Sequence, residues 1–561
     1  MGLLNSLRFG GAQRGSPTET DVEQAVHDAP SSKNNEESPA VVVRSHTDAV
    51  DDNRVAFLDT FTPAEQKKII RKIDRRILIM AGVIYLVKQI DVNNAASVKV
   101  LAVDQPTNIL VQLKMTSDQY NWVQSIYYIS YIIFELPSNL FLKLMTPRVF
   151  QTRICFLWGL VLACHAAVHN KEGLYAARFF LGIAEAGLFP SLITHLCNWY
   201  RSDEMGKPIM WLFGIFNLAG VLGSLLVYGI AYLDGKQGLS SWQWVFLIEG
   251  VATMAFAGLI WAVYPDYPKS PRTEKWLTPR EQEFVELRLT ENAPKTQDAS
   301  FSWAEAIETL KDLRMWSFMM AQVCMNTGGF GLTWFLPTIV TNLGFAGLPR
   351  NQLLMIPPAA AGIIALIVAA WLLKRAFLPR PVLTLIIVAL EIITFSIFLA
   401  SRTRGAIYTA CVLGSMFSAC LAVPFWAWRT SSLRGTTGTA FAMGLQSGVG
   451  QLGGVIGPQI FRSKFAADGY RTSYAICVGA LGGCFLFNCL SWYLTRNLEW
   501  DVHRIRRQRI KAEKQGRLFT EDEVKFFDER ERFTTGLKKK LITDKTCSGE
   551  TRRGRASHIV R

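Results

Sequence analysis

The chain has 561 residues, of which 50% are apolar and only 19% are charged, while 60 Lys and Arg against 45 Asp and Glu give a formal charge of +15. A typical soluble protein carries about a quarter charged residues, so the charges here are concentrated in a few segments of an otherwise apolar chain. This composition excludes a disordered, collagen-like or nucleic-acid-coating chain, and ten cysteines without CxxC spacing exclude a small disulfide scaffold. The simplest remaining class is a multi-pass helical membrane protein.

Twelve apolar stretches are long enough to cross a bilayer, which requires about 20 residues of helix. We number them spans 1 to 12, and they cover residues 77–98, 119–143, 150–169, 173–199, 208–233, 242–264, 315–341, 352–373, 381–400, 406–427, 439–461 and 473–495. The spans fall into two groups of six on either side of a polar segment. The sequence therefore predicts an all-α membrane protein with 12 transmembrane helices in two six-helix bundles around a midplane site.

Five regions follow from this pattern. They are a disordered cytoplasmic N-terminal tail at 1–70, an N-terminal six-helix bundle at 71–264, a cytoplasmic central loop at 265–314, a C-terminal six-helix bundle at 315–495 and a basic cytoplasmic C-terminal tail at 496–561. Lys and Arg residues flank the spans mainly on one side, as they do in cytoplasmic loops, so both termini are placed in the cytoplasm. The first 60 residues are polar and predict no signal peptide. We interpret the basic surplus as topology and attraction to anionic lipids, and expect no nucleic-acid partner.

Charged side chains inside the spans mark candidate functional positions, because a charge at the bilayer centre costs at least about 2.5 kcal/mol. Span 1 carries Lys88 and Asp91 on one helix face, since three residues separate them. Span 4 carries Arg178 and Glu185 on one face, two turns apart. Other polar groups within spans are Glu135, Glu249, Glu391, Asn94, Asn217, Asn326 and Gln446.

Each of these charged residues has a structural and a functional interpretation. A structural residue forms an ion pair or extends to water at the membrane interface. We expect Asp91, Arg178 and Glu185 to be functional, because they lie away from the span ends and on two spans of the same half. A buried carboxylate beside a movable cation suits a proton-coupled carrier, since burial disfavours its charged form and the cation favours it. Glu249 and Glu391 are expected to be structural.

The sequence contains no signature of an enzyme. It has no GxxxxGK[ST] phosphate loop, no HExxH motif and no clustered Cys and His residues, so we expect no catalytic activity, cofactor or metal. Trp426 and Trp428 near the end of span 10 fit either an interfacial aromatic belt or a role in stacking on a substrate, and the sequence leaves both alternatives open.

Several motifs in the same order resemble the major facilitator superfamily, and specifically its fungal anion:cation symporters of the allantoate permease type. The resemblance runs from about Arg71 to the end of span 12. Its strongest pieces are RKIDRRIL and YLVKQIDVNNA within 71–95, YIIFELPSNLFLK at 131–143, ARFFLGIAEAGLFPSLITHLCNWY at 177–200, SWQWVFLIEG and YPDYPKSPR within 241–272, and WFLPTIVTNLGF at 334–345.

This resemblance implies the major facilitator fold and secondary transport of a small organic anion by alternating access, usually driven by a proton gradient. Substrates of such carriers include allantoate, nicotinate, pantothenate, biotin, tartrate-like acids and sulfur compounds. By motif match, Asp91 and Glu185 are the predicted proton-coupling residues. The predicted substrate-binding residues are Lys88, Asn94, Tyr131, Arg178, Asn217, Asn326, Trp428 and Gln446. The predicted gating residues are Pro147, Arg148 and Arg375.

The chain departs from the family pattern at positions that bear on the substrate. Members of the family commonly have Arg directly after the span 1 Asp, where this chain has Val92. Our hypothesis is that Lys88 takes over part of the anion-binding charge; the alternative is that it only neutralises Asp91. Thr146 stands where Gly is usual in the loop between spans 2 and 3, and Lys374 where Asp is usual in the loop between spans 8 and 9. These changes leave the gating interactions and the direction of transport open.

Three functions fit these observations. The first is a proton symporter for a small organic anion of the carboxylate, vitamin or nitrogen-compound type, and we rank it first. The second is an exporter of a secondary metabolite or toxin, and the third is a nutrient receptor without transport. The expected partners are the organic anion, protons and the lipid bilayer. We expect a monomer in the plasma membrane, with the vacuolar or another internal membrane as the alternative.

Overall fold

The computed structural model describes residues 54, 57–58, 60–142, 145–200, 205–289, 303–345, 347, 349–432 and 436–515. Within these residues every regular element is a helix and none is a strand, which confirms the all-α prediction. Most of the predicted tails at 1–70 and 496–561, and residues 290–302 of the predicted central loop, lie outside the described residues.

Each predicted span coincides with a helix. In the N-terminal half, spans 1 to 6 are the helices Ile79–Val98, Ser117–Leu142, Pro147–Cys164, Lys171–Glu185 with Leu188–Cys197, Gly206–Ile230 and Ser241–Val263. In the C-terminal half, spans 7 to 12 are Leu313–Leu343, Ile356–Arg375, Arg380–Ala400, Arg404–Ser431, Thr436–Gly450 with Leu452–Ile460, and Arg471–Lys514. Span 12 thus continues about five turns past the apolar stretch that predicted it.

Nine helices of the described residues are long and apolar enough to cross a membrane. Spans 2, 7 and 11 are helical as well but less apolar. Polar side chains of these spans have partners on other spans: Asn121 in span 2 donates to the Phe461 carbonyl of the other half at 3.0 Å, and Asn326 in span 7 donates to the Gly450 carbonyl of span 11 at 2.8 Å. Polar residues in these spans are therefore used inside the protein, where they have partners, and not against lipid.

Two spans are broken near the middle of the molecule. The first helix of span 4 ends at Glu185, and Gly187 has a φ of 86°, a left-handed conformation that favours glycine, before a second helix begins at Leu188. Span 11 is interrupted at Gln451. Broken membrane helices expose backbone groups and side chains to internal cavities, so both breaks point towards a functional site.

The two halves meet along span 2 with span 11 and span 5 with span 8. Within the N-terminal half, spans 3 and 6 make a close glycine contact. A side chain on Gly250 would approach the Gly159 carbonyl oxygen to 2.7 Å, and one on Gly159 would approach the Gly250 carbonyl oxygen to 2.8 Å. Glycine at both positions lets the two backbones touch, as small residues do between membrane helices.

An amphipathic helix, Pro63–Ile73, precedes span 1 and is fixed by a capping box between Thr62 and Glu65. It packs near a short helix of the central loop, Pro279–Leu287, because Lys72 pairs with Glu281 at 2.7 Å. In the same loop Lys269 pairs with Glu286 at 2.8 Å, and this hydrogen bond raises the pKa of Lys269. These contacts fix the chain before span 1 against the chain after span 6.

Candidate functional site

A central cavity of about 300 Å³ lies between the two halves, lined by spans 1, 2, 4, 5, 7, 8, 10 and 11. Its aromatic wall includes Tyr85, Tyr128, Tyr131, Phe189, Phe213, Phe216, Phe330 and Trp426. Its polar wall includes Asn93, Asn94, Asn217, Gln322, Asn326, Gln451, Thr333 and serines at 97, 224, 415, 418 and 447. Among the described residues that line it, Lys88 is the one charged side chain, so the cavity presents one cation among amides, hydroxyls and rings.

Lys88 is held at the wall of this cavity by weak contacts. Its Nζ donates to Gln89 Oε1 at 3.1 Å and lies 5.8 Å from the centre of the Tyr131 ring. It interacts electrostatically with Glu185, Asp91 and Glu135. Lys88 also lines a smaller adjoining cavity of about 90 Å³. It can therefore act on the carboxylates behind it and on a solute in front of it.

Behind span 1 lies a set of four residues that we call the buried charge cluster: Asp91, Arg178, Glu185 and Glu249. Asp91 is 3% exposed and accepts a hydrogen bond from Trp158 Nε1 at 2.8 Å. It interacts electrostatically with Glu249, Glu185 and Arg178. Two carboxylates that interact in a low-dielectric site cannot both be ionised without a large energetic penalty. The pair of Asp91 and Glu249 is therefore suited to hold one proton.

The span 4 members of the cluster are also fully enclosed. Glu185 is 0% exposed; one of its oxygens accepts from Tyr127 Oη at 2.6 Å, and the other has no hydrogen-bond partner among the described residues. Arg178 is 2% exposed and lies over the Phe246 ring at 5.2 Å, and within the same part of the chain its Nε and Nη2 have no hydrogen-bond partner. The break after Glu185 places this carboxyl where span 4 changes direction. The open oxygen of Glu185 can accept a proton, and the open N–H groups of Arg178 can donate to a water molecule or to a carboxylate.

Asn94 connects the cavity with the buried charge cluster. It lines the cavity, and its side-chain amide donates to Glu249 of span 6. The sequence analysis expected Glu249 to be structural and gave it no partner. The structure brings it against Asp91, because spans 1 and 6 pack together. Trp158 and Tyr127 were not singled out either, and only their hydrogen bonds to Asp91 and Glu185 reveal them.

Five of the eight predicted substrate-binding residues lie on the cavity wall: Lys88, Asn94, Tyr131 and Asn217 in the N-terminal half, and Asn326 in the C-terminal half. The other three do not line it. Gln446 is buried between Arg429, whose Nε donates to it at 2.6 Å, and Gln322, which accepts from it at 2.8 Å. Gln446 therefore positions Gln322, which does face the cavity. Arg178 belongs to the buried charge cluster.

Trp428 lies away from the cavity. It is 0% exposed, its Nε1 donates to Thr495 Oγ1 of span 12 at 3.1 Å, and its ring packs on Phe318 at 4.8 Å. Trp426 lines the cavity instead. The reason is the helix period. Two side chains that are two residues apart on a helix are rotated by about 200° about its axis, so Trp426 and Trp428 face opposite ways.

The predicted gating residues lie at the predicted cytoplasmic end. Pro147 is the first residue of span 3. Arg148 pairs with Asp266, after span 6, at 3.2 Å and stacks 4.5 Å from the Trp261 ring. Arg375 is exposed and stacks on Trp371 at 5.6 Å. In the C-terminal half the counterpart of Arg148 is Arg380, which begins span 9.

Arg380 fixes the start of span 9 to spans 10 and 12. Its guanidinium donates to the Ala427 carbonyl at 2.6 Å and lies 3.9 Å from Glu499. The sequence analysis gave Arg380 no role. Glu499 lies past the apolar stretch of span 12, so hydropathy gave no sign of it.

Hydrogen bonds join the halves at the predicted outer end. Asp118 at the start of span 2 accepts from the Ser463 backbone at 2.6 Å, and Ser125 donates to the Val455 carbonyl at 2.8 Å. Asn121 lies between them and also bonds across the halves. These residues are three and four apart and so share one face of span 2. That spacing is the signal in the sequence that could have identified them.

Comparisons with known proteins agree with this architecture. A family model for the Major Facilitator Superfamily matches residues 92–458. The MFS transporter prlL of a fungal species (strain NRRL 50135) is 28% identical over 461 residues, which are 80% of this chain and 92% of that protein. Vitamin H transporter 1 of Schizosaccharomyces pombe is 27% identical over 499 residues, which cover 82% of this chain and 87% of that protein.

A solved structure gives the same fold. The crystal structure of a bacterial homolog to the human lysosomal transporter Spinster, in an inward-facing and occupied conformation, matches with a TM-score of 0.56 at 16% identity. The match covers 76% of this chain and 98% of that one. At this identity the likeness concerns the arrangement of helices and leaves the chemistry of the cavity to be argued from the residues of this chain.

Proposed function

Because the chain belongs to the Major Facilitator Superfamily, we propose that it is a secondary active transporter that carries a small organic anion by alternating access, as a proton symporter. Within the superfamily we assign it to the allantoate permease type, on the motifs of spans 1, 2 and 4. The observation that carries the proposal is the wall of the central cavity, where Lys88 stands as the one charged side chain among the described lining residues. A single cation in a partly apolar cavity favours a solute with one negative charge.

Coupling to protons follows from the position of Lys88 between solute and carboxylates. With the cavity empty, Lys88 compensates Glu185 and Asp91 electrostatically. When a solute anion engages Lys88, these carboxylates share their cation with a second negative charge. Proton binding by the buried charge cluster then restores the balance, because a low-dielectric site disfavours uncompensated charge. Solute and proton thus bind together and are released together.

Substrate selection is assigned to both halves of the cavity wall. Lys88, Asn94, Tyr131 and Asn217 contribute from the N-terminal half, and Asn326 and Trp426 from the C-terminal half. Aromatic rings offer stacking and apolar contact, while the amides supply directed hydrogen bonds that fix the orientation of the solute. This wall suits an organic acid with a flat or apolar body, such as nicotinate or biotin.

We place both termini in the cytoplasm and the protein, as a monomer, in the plasma membrane, with an internal membrane as the alternative. The exposed Lys67, Lys68 and Arg71 on the helix before span 1 support this orientation, because basic residues are retained on the cytoplasmic side. Arg148 and Arg380 lie at the same predicted end. The proposed gating contacts there are those of Arg148 and Arg380, while Arg375 is left on the surface.

Uptake measurements test the proposal directly. Cells that express the chain are given radiolabelled nicotinate, biotin, pantothenate, allantoate or tartrate at two external pH values. We expect one of these acids to accumulate more at the lower pH. Lys88→Ala should lower its uptake about 10- to 100-fold, as expected for the loss of one charge-assisted hydrogen bond. Lys88→Arg should retain part of the uptake with altered selectivity, because Arg binds carboxylates in a different geometry.

Two controls make the result interpretable. Lys236→Ala removes a charge from an exposed loop and should leave uptake unchanged. Asp91→Asn should abolish accumulation driven by the pH gradient while leaving exchange of labelled for unlabelled solute. Unchanged uptake in both Lys88 variants would overturn the assignment of Lys88. Faster loss of a preloaded acid from expressing cells would indicate export in place of import.

A further inference from the structure

Glu391 is a buried carboxyl group in the C-terminal half that the proposed mechanism does not use. It lies near the middle of span 9, Arg380–Ala400, and is 0% exposed. Among the described residues neither carboxyl oxygen makes a well-formed hydrogen bond, and the hydrogen-bonding side chain that acts on the carboxyl group is Ser418. The sequence analysis expected a structural ion pair or an interfacial group here, and the structure shows neither.

The groups that face Glu391 come from the two spans packed against span 9, which are spans 10 and 12. From span 10 they are Ser418 and Cys420, and from span 12 they are Cys477 and Cys484. Among the described residues no cation acts on Glu391. On its own helix the Thr394 hydroxyl is already used, because it donates to the Leu390 carbonyl at 2.8 Å.

These surroundings favour the neutral, protonated form of Glu391. An ionised carboxylate in a low-dielectric interior needs a cation or several hydrogen-bond donors. The three thiols supply only weak donors, and the Ser418 hydroxyl supplies a single ordinary donor, which is fewer than an ionised carboxylate needs. A protonated carboxyl, in contrast, has an O–H of its own to donate, and Ser418 Oγ is the acceptor that faces it.

Ser418 also connects Glu391 with the central cavity. Its side chain lines the cavity wall and is only half-buried. Glu391 lies behind it, one side chain away from the space that a solute and water would enter. The Ser418 hydroxyl thus has the cavity on one side and the Glu391 carboxyl on the other, where it can pass a proton between them.

We infer that Glu391 is a second proton-binding site, located in the C-terminal half and reached from the central cavity through Ser418. In loading, a hydronium ion in the cavity gives a proton to Ser418 Oγ. Ser418 passes its own hydroxyl proton to a Glu391 oxygen, which leaves water in the cavity, a neutral serine and a neutral carboxylic acid. Release is the reverse. The use of this proton in transport rests on the function proposed above, but its binding does not.

Infrared spectroscopy of the purified full chain tests the site without any solute. A protonated carboxylic acid has a C=O stretching band that is separate from amide bands and that shifts when the protein is moved to heavy water. In spectra recorded over a pH series, Glu391→Gln should lose one such band that Asp91→Asn retains. Glu308→Gln, on an exposed helix, is the matched control and should leave all bands in place.

Two further variants keep the result decisive. If Glu391→Gln does not fold, Glu391→Asp should move the band to the position of a protonated Asp. Ser418→Ala should slow the heavy-water shift of the Glu391 band, while Ser418→Thr, which keeps the hydroxyl, should restore it. A spectrum of Glu391→Gln with every band of the parent chain would overturn the inference. So would a Glu391 band whose exchange is unaffected by Ser418→Ala.

Discussion

The two halves of the molecule share one scaffold and differ in the charges they bury. The N-terminal half encloses Asp91, Arg178, Glu185 and Glu249 on spans 1, 4 and 6. In the C-terminal half Glu391 is buried between spans 9, 10 and 12 with no cation acting on it from the described residues. The four clustered charges thus lie in one half, and the other half contributes neutral polar groups to the cavity wall.

The scaffold contacts, in contrast, recur in both halves. Span 3 begins with Arg148 paired to Asp266 just after span 6, and span 9 begins with Arg380 near Glu499 in the extension of span 12. Spans 3 and 9, and spans 6 and 12, occupy corresponding positions in two six-helix repeats. The repeat therefore accounts for packing at the predicted cytoplasmic end, whereas the buried charge cluster belongs to the N-terminal half alone.

The largest effect on stability is expected in the C-terminal half, at the pair Trp426 and Trp428. Trp428→Ala should lower the free energy of unfolding by about 3–5 kcal/mol, because it empties a buried site between spans 7, 10 and 12. Trp426→Ala should change stability far less and weaken solute uptake, because Trp426 lines the cavity. Thermal unfolding of the purified variants, together with the uptake assay, measures both effects.

The two tryptophans are each other's control, since they are two residues apart on one helix. If Trp428→Ala reduced uptake while the protein remained as stable as the parent, Trp428 would be a substrate contact after all. The packing of span 10 described above would then not hold during transport.

The next largest effect is expected in the N-terminal half, where spans 3 and 6 touch through glycines. Gly250→Ala should destabilise the protein by about 1–3 kcal/mol, because the added methyl group meets the backbone of span 3. Gly258→Ala, on the same helix, meets no atom of the described residues within 4 Å and should be neutral or slightly stabilising through its helix propensity. The thermal unfolding midpoint of Gly250→Ala should therefore fall below that of the parent, while the midpoint of Gly258→Ala should stay equal to it or rise slightly.

Equal midpoints for Gly250→Ala and Gly258→Ala would contradict the close contact of spans 3 and 6. That contact bears on the charge cluster as well. Span 3 supplies Trp158, and span 6 supplies Glu249, on either side of Asp91. A wider separation of the two spans would weaken the contacts of Asp91 with Trp158 and with Glu249.

The fold was predictable from the sequence because its main determinant is local. Apolar runs of helix length identified every span. The break in span 4 was not predicted, and Gly187 before Pro190 is the signal in the sequence that could have identified it. The helical extension of span 12 to Lys514 was not predicted. Hydropathy identifies only the apolar residues that cross the membrane, whereas a helix can continue into polar residues beyond them. Polar residues past an apolar run require a tertiary contact to be placed.

The site was predictable only in part. Charge inside an apolar span singled out Lys88, Asp91, Arg178 and Glu185, and these four do come together in the N-terminal half. Their partners from other spans could not be read from the sequence, since the pairing of Asp91 with Glu249 joins residues far apart in the chain. The rotation of each helix about its axis could not be predicted either. For this reason Trp428, and not Trp426, was predicted to bind the substrate.

The smallest effect is expected at the two arginine contacts, and it measures how closely the halves repeat each other. A double-mutant cycle with Arg148→Ala and Asp266→Ala should give a coupling energy of about 1 kcal/mol, the upper range for a partly exposed pair. Asp266 accepts from the Arg148 backbone at 3.2 Å and pairs with its guanidinium at 3.2 Å. The cycle with Arg380→Ala and Glu499→Ala should give a smaller coupling energy. There the charges are 3.9 Å apart, and Arg380 already donates to the Ala427 carbonyl.

Lys171 and Glu172 provide the reference for these cycles, because their side chains are 40% and 68% exposed and their charges lie 3.7 Å apart. Their coupling energy should be near zero, as it is for many surface ion pairs. Both arginine couplings should also fall when salt is raised, since neither pair is fully shielded from water. If Arg380 and Glu499 coupled more strongly than Arg148 and Asp266, the C-terminal contact would depend on the burial of Glu499 and not on distance. The two halves would then use the same position in the repeat with different energetics.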